Sequence, residues 1–175
     1  MAPLEIIKYG HPILRLKAEE IKTVDDSIRT LADEMIATME IAEGIGLAAP
    51  QVAKPLALCV VNTGLIEDGA APRTYINPVI LRNEGSATME EGCLSIPEIR
   101  EDVIRPATIA LKYLDLEGVE HEESCEGMLA RVLQHEIDHL NGVLFIDRIS
   151  PMRRKLLARR LRDIANGKDG GDKSV

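Results

Sequence analysis

The segment QHEIDHLNG, residues 134–142, decides how the rest of this sequence is interpreted. It places His135 and His139 four residues apart and puts Glu136 beside the first of them. Side chains at this spacing lie on one face of an α-helix. Two imidazoles on one helical face, next to a carboxylate, are typical of a metal-binding helix that carries its own general base. We therefore expect a helix that begins after a cap at Ser124, ends with this segment and holds a metal ion.

Hydrophobic periodicity predicts further elements on both sides of this helix. Apolar residues at helical spacing predict a first helix within 25–42 and a last helix that follows Ser150 and ends at Asn166. Short apolar or alternating runs predict strands at 55–62, 74–82, 108–115 and 119–124, the last two as a hairpin. Because strands fill the middle and helices lie at the ends, we expect an α+β fold. We expect this fold to be a single compact domain of mostly antiparallel strands around the central metal-binding helix, with a C-terminal helix.

Length and composition fit one folded domain without a membrane segment. A chain of 175 residues with 45% hydrophobic content can bury one core, which we place at 1–166, and the glycine-rich, charged residues 167–175 are expected to form a flexible tail. The formal net charge of −8 argues against nonspecific adhesion to nucleic acid or an anionic membrane. No apolar run approaches the ~20 residues of a spanning helix. Three cysteines are an odd count, which favours a reducing, cytoplasmic location.

Two histidines require a third ligand, because catalytic metal sites of this kind usually have three protein ligands and one open position. The metzincin continuation would need a histidine where Phe145 stands. The thermolysin-like pattern would need a later glutamate, and none follows Glu136. A downstream aspartate, Asp147 or Asp163, stays open as the third ligand, whereas His11 and His121 have no spacing that recommends them.

A cysteine thiolate is the natural alternative, and Cys93 is the candidate. It lies in EEGCLSIP, residues 90–97, where glycine and proline can hold it in a fixed bend near another element. A lone cysteine is usually a small buried hydrophobic residue, which is how we interpret Cys59 and Cys125.

Three segments of the chain resemble the peptide deformylase family: GIGLAAPQ at 44–51, EGCLS at 91–95 and QHEIDHLNG at 134–142. They match the family's Gly-x-Gly-Leu-Ala-Ala-x-Gln, Glu-Gly-Cys-Leu-Ser and Gln-His-Glu-x-Asp-His-Leu motifs at every fixed position and in the same order. The resemblance extends from YGHP at 9–12 to the last helix, which is similar to that of the bacterial type. It implies a metal-dependent amidohydrolase that removes the N-formyl group from N-formylmethionyl nascent polypeptides during translation and releases formate.

The resemblance implies that Cys93, His135 and His139 bind one divalent metal ion and that a water completes the tetrahedron. A bound divalent ion lowers the pKa of its water to about 7, which makes hydroxide available at neutral pH. Ferrous iron is implied as the metal in the bacterial cytoplasm by the resemblance alone. Because a Cys-His-His set also suits zinc, nickel and cobalt, those ions are expected to be possible in the isolated protein.

The resemblance also implies catalytic and substrate-binding residues. Glu136 accepts the proton of the attacking water and passes it to the departing amine. The side-chain amide of Gln51 and the backbone N–H of Leu94 stabilise the oxyanion together with the metal. The peptide lies in extended form, with its methionine side chain in an apolar pocket. The residues implied to contact it are Gly46, Ile45, Gly92, Arg100 and Val132. Arg131 stands where relatives often carry a hydrophobic residue, so we expect a more polar mouth of this pocket.

The last helix is unusually basic for an acidic protein. Seven basic residues and no acidic one occur in this stretch: Arg148, Arg153, Arg154, Lys155, Arg159, Arg160 and Arg162. Charge runs are usually a solvated helix face, here one that completes the fold through Leu156, Leu157 and Leu161. The resemblance implies a second interpretation, in which this helix docks near the ribosomal exit tunnel through salt-sensitive phosphate contacts. Both interpretations stay open, and a monomer is expected.

Three other functions compete with deformylation. A zinc peptidase would use the same helix with an aspartate or His121 as the third ligand. A noncatalytic ribosome-binding module is disfavoured because Glu136 and Gln51 are intact. A cysteine hydrolase that pairs Cys93 with His135 would leave the rest of the His-Glu-x-x-His motif without a role.

Overall fold

The structure, a computed structural model, describes residues 3–168. Within this range the α-helices are α1 (Asp26–Ile41), α2 (Gly127–Leu140) and α3 (Pro151–Ala165). The strands are β1 (Gly46–Ala48), β2 (Leu58–Val61), β3 (Arg73–Glu84), β4 (Ala87–Cys93), β5 (Ile96–Arg105), β6 (Thr108–Leu114) and β7 (Glu120–Glu126). Asp25 begins α1 by accepting the backbone N–H of Ile28, and Ser150 begins α3 by accepting that of Arg153. The predicted first and last helices are therefore confirmed.

The strands form two antiparallel sheets. β1, β2, β3, β6 and β7 lie side by side in that order, and β4 pairs with β5 in a separate hairpin. The predicted hairpin of β6 and β7 is present, with Thr108 opposite Glu126 and Leu114 opposite Glu120. The antiparallel pairing and the helices at the ends confirm the α+β class. The β4–β5 hairpin has no counterpart in the sequence prediction, which treats 90–97 only as a bend.

β2 is buried on both faces and separates two layers of the core. Successive side chains of a strand point to opposite faces. Cys59 accordingly packs in a cluster with Leu133 of α2, while its neighbour Val60 packs in another cluster with Met35 of α1. Each fully buried apolar side chain of this kind contributes about 1.5–3 kcal/mol. α2 is thereby fixed in the centre of the domain, as the sequence predicts.

The N-cap of α2 lies two residues later than expected. The predicted cap, Ser124, lies in β7 opposite Ala110 of β6, so its backbone belongs to the sheet. Glu126 takes the N-cap position without a side-chain hydrogen bond. Gly127 follows with a φ of +59°, a left-handed conformation that glycine adopts without strain. Pairing with β6 therefore overrides the local capping preference of serine.

α3 packs beside the β4–β5 hairpin. Leu157 and Leu161 join Ile99 of β5 and the buried ring of Phe145 in a third apolar cluster. The expected inward position of Leu156 is wrong, because its side chain is exposed on the opposite side of α3. The helix completes the fold through the other two leucines.

The described residues end just beyond α3. The backbone N–H of Lys168 donates to the carbonyl of Asp163 at 2.7 Å and so closes the end of the helix. Of the tail predicted at 167–175, only Gly167 and Lys168 belong to the described range. None of the helices within that range combines the length and the apolar character that a bilayer crossing requires.

Candidate active site

Three side chains with metal-ligating atoms meet between α2 and the β4–β5 hairpin. Cys93 stands at the end of β4, and His135 and His139 lie about one turn apart on α2. The ligand atoms of the three side chains lie within 4.8 Å of one another, and Cys93 Sγ lies 3.3 Å from His139 Nε2. Among residues 3–168 no other group of three histidine, cysteine or acidic side chains converges in this way.

The chemistry of these side chains fits a divalent metal ion. His135 Nδ1 lies 2.8 Å from Glu91 Oε1, which leaves Nε2 of the same ring for ligation. His139 is 1% exposed, and its Nδ1 has no hydrogen-bond partner among the described residues. Burial lowers the pKa of His139 well below its usual value, so the ring is neutral, which is the form that ligates metals. One sulfur and two nitrogen donors are a set that zinc and iron both accept.

Glu136 lies next to His135 on α2, with its carboxyl group buried. Its Oε2 has no hydrogen-bond partner within residues 3–168. Burial raises the pKa of Glu136 to about 7. A carboxyl group with a pKa near neutrality can both accept and donate a proton at working pH.

Gln51 is fixed beside Cys93 by contacts at both ends of its amide. It lies in the short 3₁₀ helix Ala49–Val52 that follows β1. Its Oε1 accepts the backbone N–H of Ala48 at 2.9 Å, and its Nε2 donates to Ser95 Oγ at 3.1 Å. The same Nε2 lies 3.5 Å from Cys93 Sγ. The amide therefore directs its donors toward the thiol and the turn that follows it.

The turn between β4 and β5, Leu94-Ser95, is held by the N-terminal segment. The backbone N–H of Tyr9 donates to the carbonyl of Ser95 at 2.8 Å, and Lys8 Nζ donates to the carbonyl of Leu94 at 3.0 Å. These two hydrogen bonds hold the turn in place, and Leu94 therefore has a fixed position next to Cys93. No motif in the sequence signals the part that Lys8 plays here.

An open cleft of about 760 Å³ collects nearly all of the predicted site residues. Its lining includes Ile45, Gly46, Gln51, Gly92, Cys93, Leu94, Arg100, Val132, His135 and Glu136. His139 is the exception, since it is buried behind Cys93. Arg100 is exposed and forms an ion pair with Glu90 at 2.8 Å.

Glu91 is a site residue that the sequence analysis misses. Arg105 donates to both of its carboxylate oxygens, at 2.6 and 2.9 Å, and His135 Nδ1 lies 2.8 Å from Oε1. Burial alone would raise the pKa of Glu91, but hydrogen bonds from His135 and Arg105 hold it well below its usual value. The ionised carboxylate therefore accepts Nδ1–H of His135 and fixes the orientation of the ring. Its place in the EGCLS segment is the one signal that the sequence offers.

Arg131 does not make the mouth of the pocket polar, contrary to the expectation from the sequence. Its side chain contributes to the wall of the cleft, but it is only 5% exposed. The guanidinium donates to Glu91 Oε2 at 2.7 Å and to the carbonyls of Val103 and Ala87 at 2.9 and 2.8 Å. The guanidinium charge is therefore bound by acceptors inside the protein. The adjacent residue that lines the pocket is the apolar Val132.

The other candidates from the sequence lie outside this group of ligands. Cys59 and Cys125 are buried free thiols of the core. His121 pairs with Asp115 at 2.5 Å, and His11 caps a short 3₁₀ helix by accepting the backbone N–H of Ile13. The alternative third ligands, His11, His121, Asp147 and Asp163, do not converge with the two histidines of α2.

A hydrolytic metal centre needs three protein ligands, a nearby base and access for a substrate, and candidates for each of these lie in or beside the cleft. Fold and site together define a metal-dependent hydrolase. Comparison with known proteins identifies the family within this class of hydrolases, since residues 3–155 match the family described as polypeptide deformylase. The chain belongs to this family, and its activity is peptide deformylation, a hydrolase reaction of protein biosynthesis.

Individual relatives agree with this assignment over almost their whole length. The peptide deformylase of Afipia carboxidovorans is 50% identical over 155 residues, which cover 88% of this chain and 91% of the relative. The crystal structure of a peptide deformylase from Legionella pneumophila gives a TM-score of 0.87 at 37% identity and covers 98% of this chain and 100% of that chain. A peptide deformylase from Synechococcus elongatus, solved in complex with actinonin, gives a TM-score of 0.84 at 39% identity, with 96% and 89% covered.

Proposed function

We propose that Cys93, His135 and His139 hold one divalent metal ion and that the adjoining cleft hydrolyses N-formylmethionyl polypeptides, releasing formate. The observation that carries this proposal is the convergence of three ligand atoms within 4.8 Å beside the cleft that contains Glu136. When bound, the ion supplies Lewis acidity and makes hydroxide available near neutral pH. Membership of a family of metalloenzymes supports the assignment.

Glu136 moves the proton in this proposal. Its carboxylate takes one proton from the attacking water, and the water oxygen forms the new bond to the formyl carbon. As the carbon–nitrogen bond of the formyl amide breaks, Glu136 delivers the same proton to the amine nitrogen of the methionine. Formic acid leaves with the oxygen and the second hydrogen of the water and ionises to formate in solution. The pKa of about 7 suits a group that acts first as a base and then as an acid.

Gln51 and Leu94 stabilise the negative charge that develops on the formyl oxygen. The amide of Gln51 is already oriented by Ala48 and Ser95, and Leu94 lies in a turn braced by Lys8. Donors that are fixed before the reaction need no reorganisation as charge develops, which is why they lower the barrier.

The peptide lies in extended form between β1 and the β4–β5 hairpin. β1 is the edge strand of the five-stranded sheet, so its outer edge can pair with an added strand. Ile45 and Gly46 meet the peptide from this side, and Gly92 and Arg100 meet it from the hairpin. The exposed ion pair of Arg100 holds it only weakly, so this side chain is free to turn to a substrate. Val132 forms the pocket for the methionine side chain.

We further propose ferrous iron as the metal in the cell, with zinc, nickel or cobalt possible in the isolated protein. Thiolate and imidazole donors accept all four ions, so supply decides which one is bound. A monomer in the bacterial cytoplasm is part of the same proposal. The three free cysteines fit a reducing compartment. Elemental analysis of protein purified without oxygen tests the metal, and light scattering during gel filtration tests the monomer.

The direct test is formate release from a formyl-methionyl dipeptide under anaerobic conditions, with product masses recorded. Formate and the free methionyl dipeptide are expected in equal amounts. Release of an amino acid without formate would instead support the peptidase alternative. Glu136→Ala protein, expressed and purified in the same way, serves as the control for contaminating activity.

We also propose that α3 contacts the ribosome near the exit tunnel, through a smaller set of charges than the sequence suggests. Four of the seven basic side chains in and just before α3 bind within the protein: Arg148 to Asp138, Arg153 to Glu101, Arg154 to Asp147 and Arg160 to the carbonyl of Glu98. Lys155, Arg159 and Arg162 make no ion pair or side-chain hydrogen bond within the described range. These three are free to contact phosphate.

The ribosome contact is tested by reversing these three charges together, as Lys155→Glu, Arg159→Glu and Arg162→Glu. Cosedimentation with ribosomes at low salt is expected to disappear, while hydrolysis of a free formyl-dipeptide stays unchanged. Reversal of three exposed lysines elsewhere, Lys17, Lys54 and Lys112, changes the net charge equally and should leave cosedimentation intact. Equal losses in both triple variants would show that only net charge matters.

A further inference from the structure

We propose that Arg131 is a positioning residue for the metal centre, because it sets the hairpin that carries Cys93 against the helix that carries the two histidines. The inference rests on the proposed metal ligation by Cys93, His135 and His139. It concerns a side chain that touches none of the reacting atoms, and it explains how ligands from two separate elements are held in register.

The guanidinium of Arg131 joins three parts of the site. Arg131 lies on α2, one turn before His135. It donates to the carbonyl of Ala87 on β4 at 2.8 Å and to that of Val103 on β5 at 2.9 Å. These contacts fasten both strands of the hairpin to α2. They complement the hydrogen bond to Glu91, which lies two residues before Cys93 on β4.

Arg131 also completes the support of the carboxylate that orients His135. Glu91 Oε2 accepts from Arg131 at 2.7 Å and from Arg105 at 2.6 Å, while Oε1 accepts from Arg105 at 2.9 Å. The remaining contact of Oε1 is to His135 Nδ1 at 2.8 Å. Each carboxylate oxygen of Glu91 thus has two hydrogen-bond partners. No other orientation of the carboxylate preserves all four of these contacts. The orientation of the His135 ring therefore depends on Arg131 through Glu91.

Arginine suits this position because its planar fork meets acceptors in different directions. The three acceptors belong to a carboxylate and to two backbone carbonyls on different strands. A lysine ammonium on a flexible stem keeps the charge but does not reproduce the fork. Because Arg131 is 5% exposed, water cannot readily replace the lost donors.

The test measures metal binding and not only activity. Arg131→Met and Arg131→Lys are loaded with Co²⁺, and the dissociation constant is measured by competition with a chelator at fixed pH. Partners that orient ligands typically change metal affinity by about 10–100-fold, which is the loss expected for Arg131→Met. The Co²⁺–thiolate absorption band is also expected to shift, because the orientation of the His135 ring relative to the Cys93 thiolate changes. Arg131→Lys should fall between Arg131→Met and the wild type.

Arg153→Met is the matched control. Arg153 also ties a helix to β5, through two hydrogen bonds to Glu101 at 2.8 and 3.0 Å, but it does not contact Glu91. Its Co²⁺ affinity and spectrum are expected to match the wild type even if the melting temperature falls.

Wild-type Co²⁺ affinity and an unshifted spectrum in Arg131→Met would overturn the proposal and leave Arg131 a purely structural residue. If Arg131→Met does not fold, Arg131→Lys decides the matter by the same two measurements. If Cys93 is not a metal ligand, the wild-type protein itself shows no Co²⁺–thiolate band. This outcome is therefore distinguishable from a failure of the proposal for Arg131.

Discussion

Gly46 lies directly against the carboxyl group of Glu136, so that a β-carbon at position 46 would stand 2.5 Å from Oε1 and 2.8 Å from Val132 Cγ1. Real β-carbons do not approach other atoms so closely, and Gly46→Ala must therefore displace the carboxyl group or β1. A displacement of about 1 Å at a catalytic group can cost about 100-fold in rate. We expect a loss of that order in kcat/KM for formate release, with the metal content unchanged.

Gly92→Ala is the matched comparison, because Gly92 lies across the cleft and is also a proposed substrate contact. A β-carbon there would meet Arg100 Nη1 at 2.9 Å, the end of an exposed and flexible side chain that can move aside. A much smaller loss is expected than for Gly46→Ala. Similar losses in both variants would show that the position of Glu136 is not the reason for glycine at 46.

Removal of single ligands should separate Cys93 from the other thiols. Because thiolate and imidazole share one ion in the proposed site, Cys93→Ala and His139→Ala are expected to lose both metal and activity. Cys59→Ala and Cys125→Ala are expected to keep both, since these thiols lie in the core and outside the ligand group. The readout is metal per chain by elemental analysis. A full equivalent of metal in Cys93→Ala would mean that the third ligand is misassigned.

Glu136→Ala should separate proton transfer from metal binding. The carboxyl group is not one of the converging ligand atoms, so the variant is expected to hold a full equivalent of metal. Loss of the proton carrier should lower kcat by about 100-fold or more. Single-turnover formate release measures this effect without interference from product release. Near wild-type kcat would contradict the role of Glu136 as the general base.

Asp147 should make stability depend on pH. Its carboxylate binds Arg15 at 2.5 Å, the backbone N–H of Leu144 at 2.9 Å and Arg154. Burial alone would raise the pKa of Asp147, but the hydrogen bonds from Arg15, Leu144 and Arg154 lower it below the usual 3.8. A lowered pKa in the folded state means that the stabilisation is complete above the unfolded-state pKa and is lost as pH falls through the folded-state value.

The corresponding experiment is urea unfolding of the wild type and of Asp147→Asn at pH 7 and pH 3. At pH 7 the substitution is expected to cost about 1 kcal/mol in the free energy of unfolding, because charge-assisted hydrogen bonds are lost. At pH 3 the difference should shrink. Asp68→Asn, which removes a carboxylate at an exposed position, is measured alongside as the control. A constant difference for Asp147→Asn across this range would rule out the linkage.

The sequence predicts α1 from its apolar buried face, and it misses β5, in which some of the buried positions are charged. α1 is predicted almost to the residue because Leu31, Met35 and Met39 repeat at helical spacing and are buried. β5 also alternates between buried and exposed residues, but two of its buried positions are Glu101 and Arg105. Their charges interrupt the alternation of apolar and polar residues that identifies a strand. The β4–β5 hairpin is therefore not recognised.

The same reason explains which parts of the site are predicted. Cys93, His135 and Gln51 lie in short motifs, so their residue types and spacing are visible in the sequence. Glu91 orients His135, 44 residues away, and this contact exists only after the hairpin has docked on α2. The basic run of α3 shows the same limit, since sequence cannot reveal that Arg153 pairs with a carboxylate 52 residues earlier.

The separation of Cys93 from the two histidines also determines when this enzyme can become active during its own synthesis. The thiolate belongs to a two-stranded hairpin and the imidazoles to a helix 42 and 46 residues further along the chain, so no local segment contains the complete set. A nascent copy must release α2 from its own ribosome and dock the hairpin before it can capture an ion tightly. For the proposed site, metal uptake is therefore a late event that reports completed tertiary folding, and a chain truncated before α2 lacks two of the three proposed ligands.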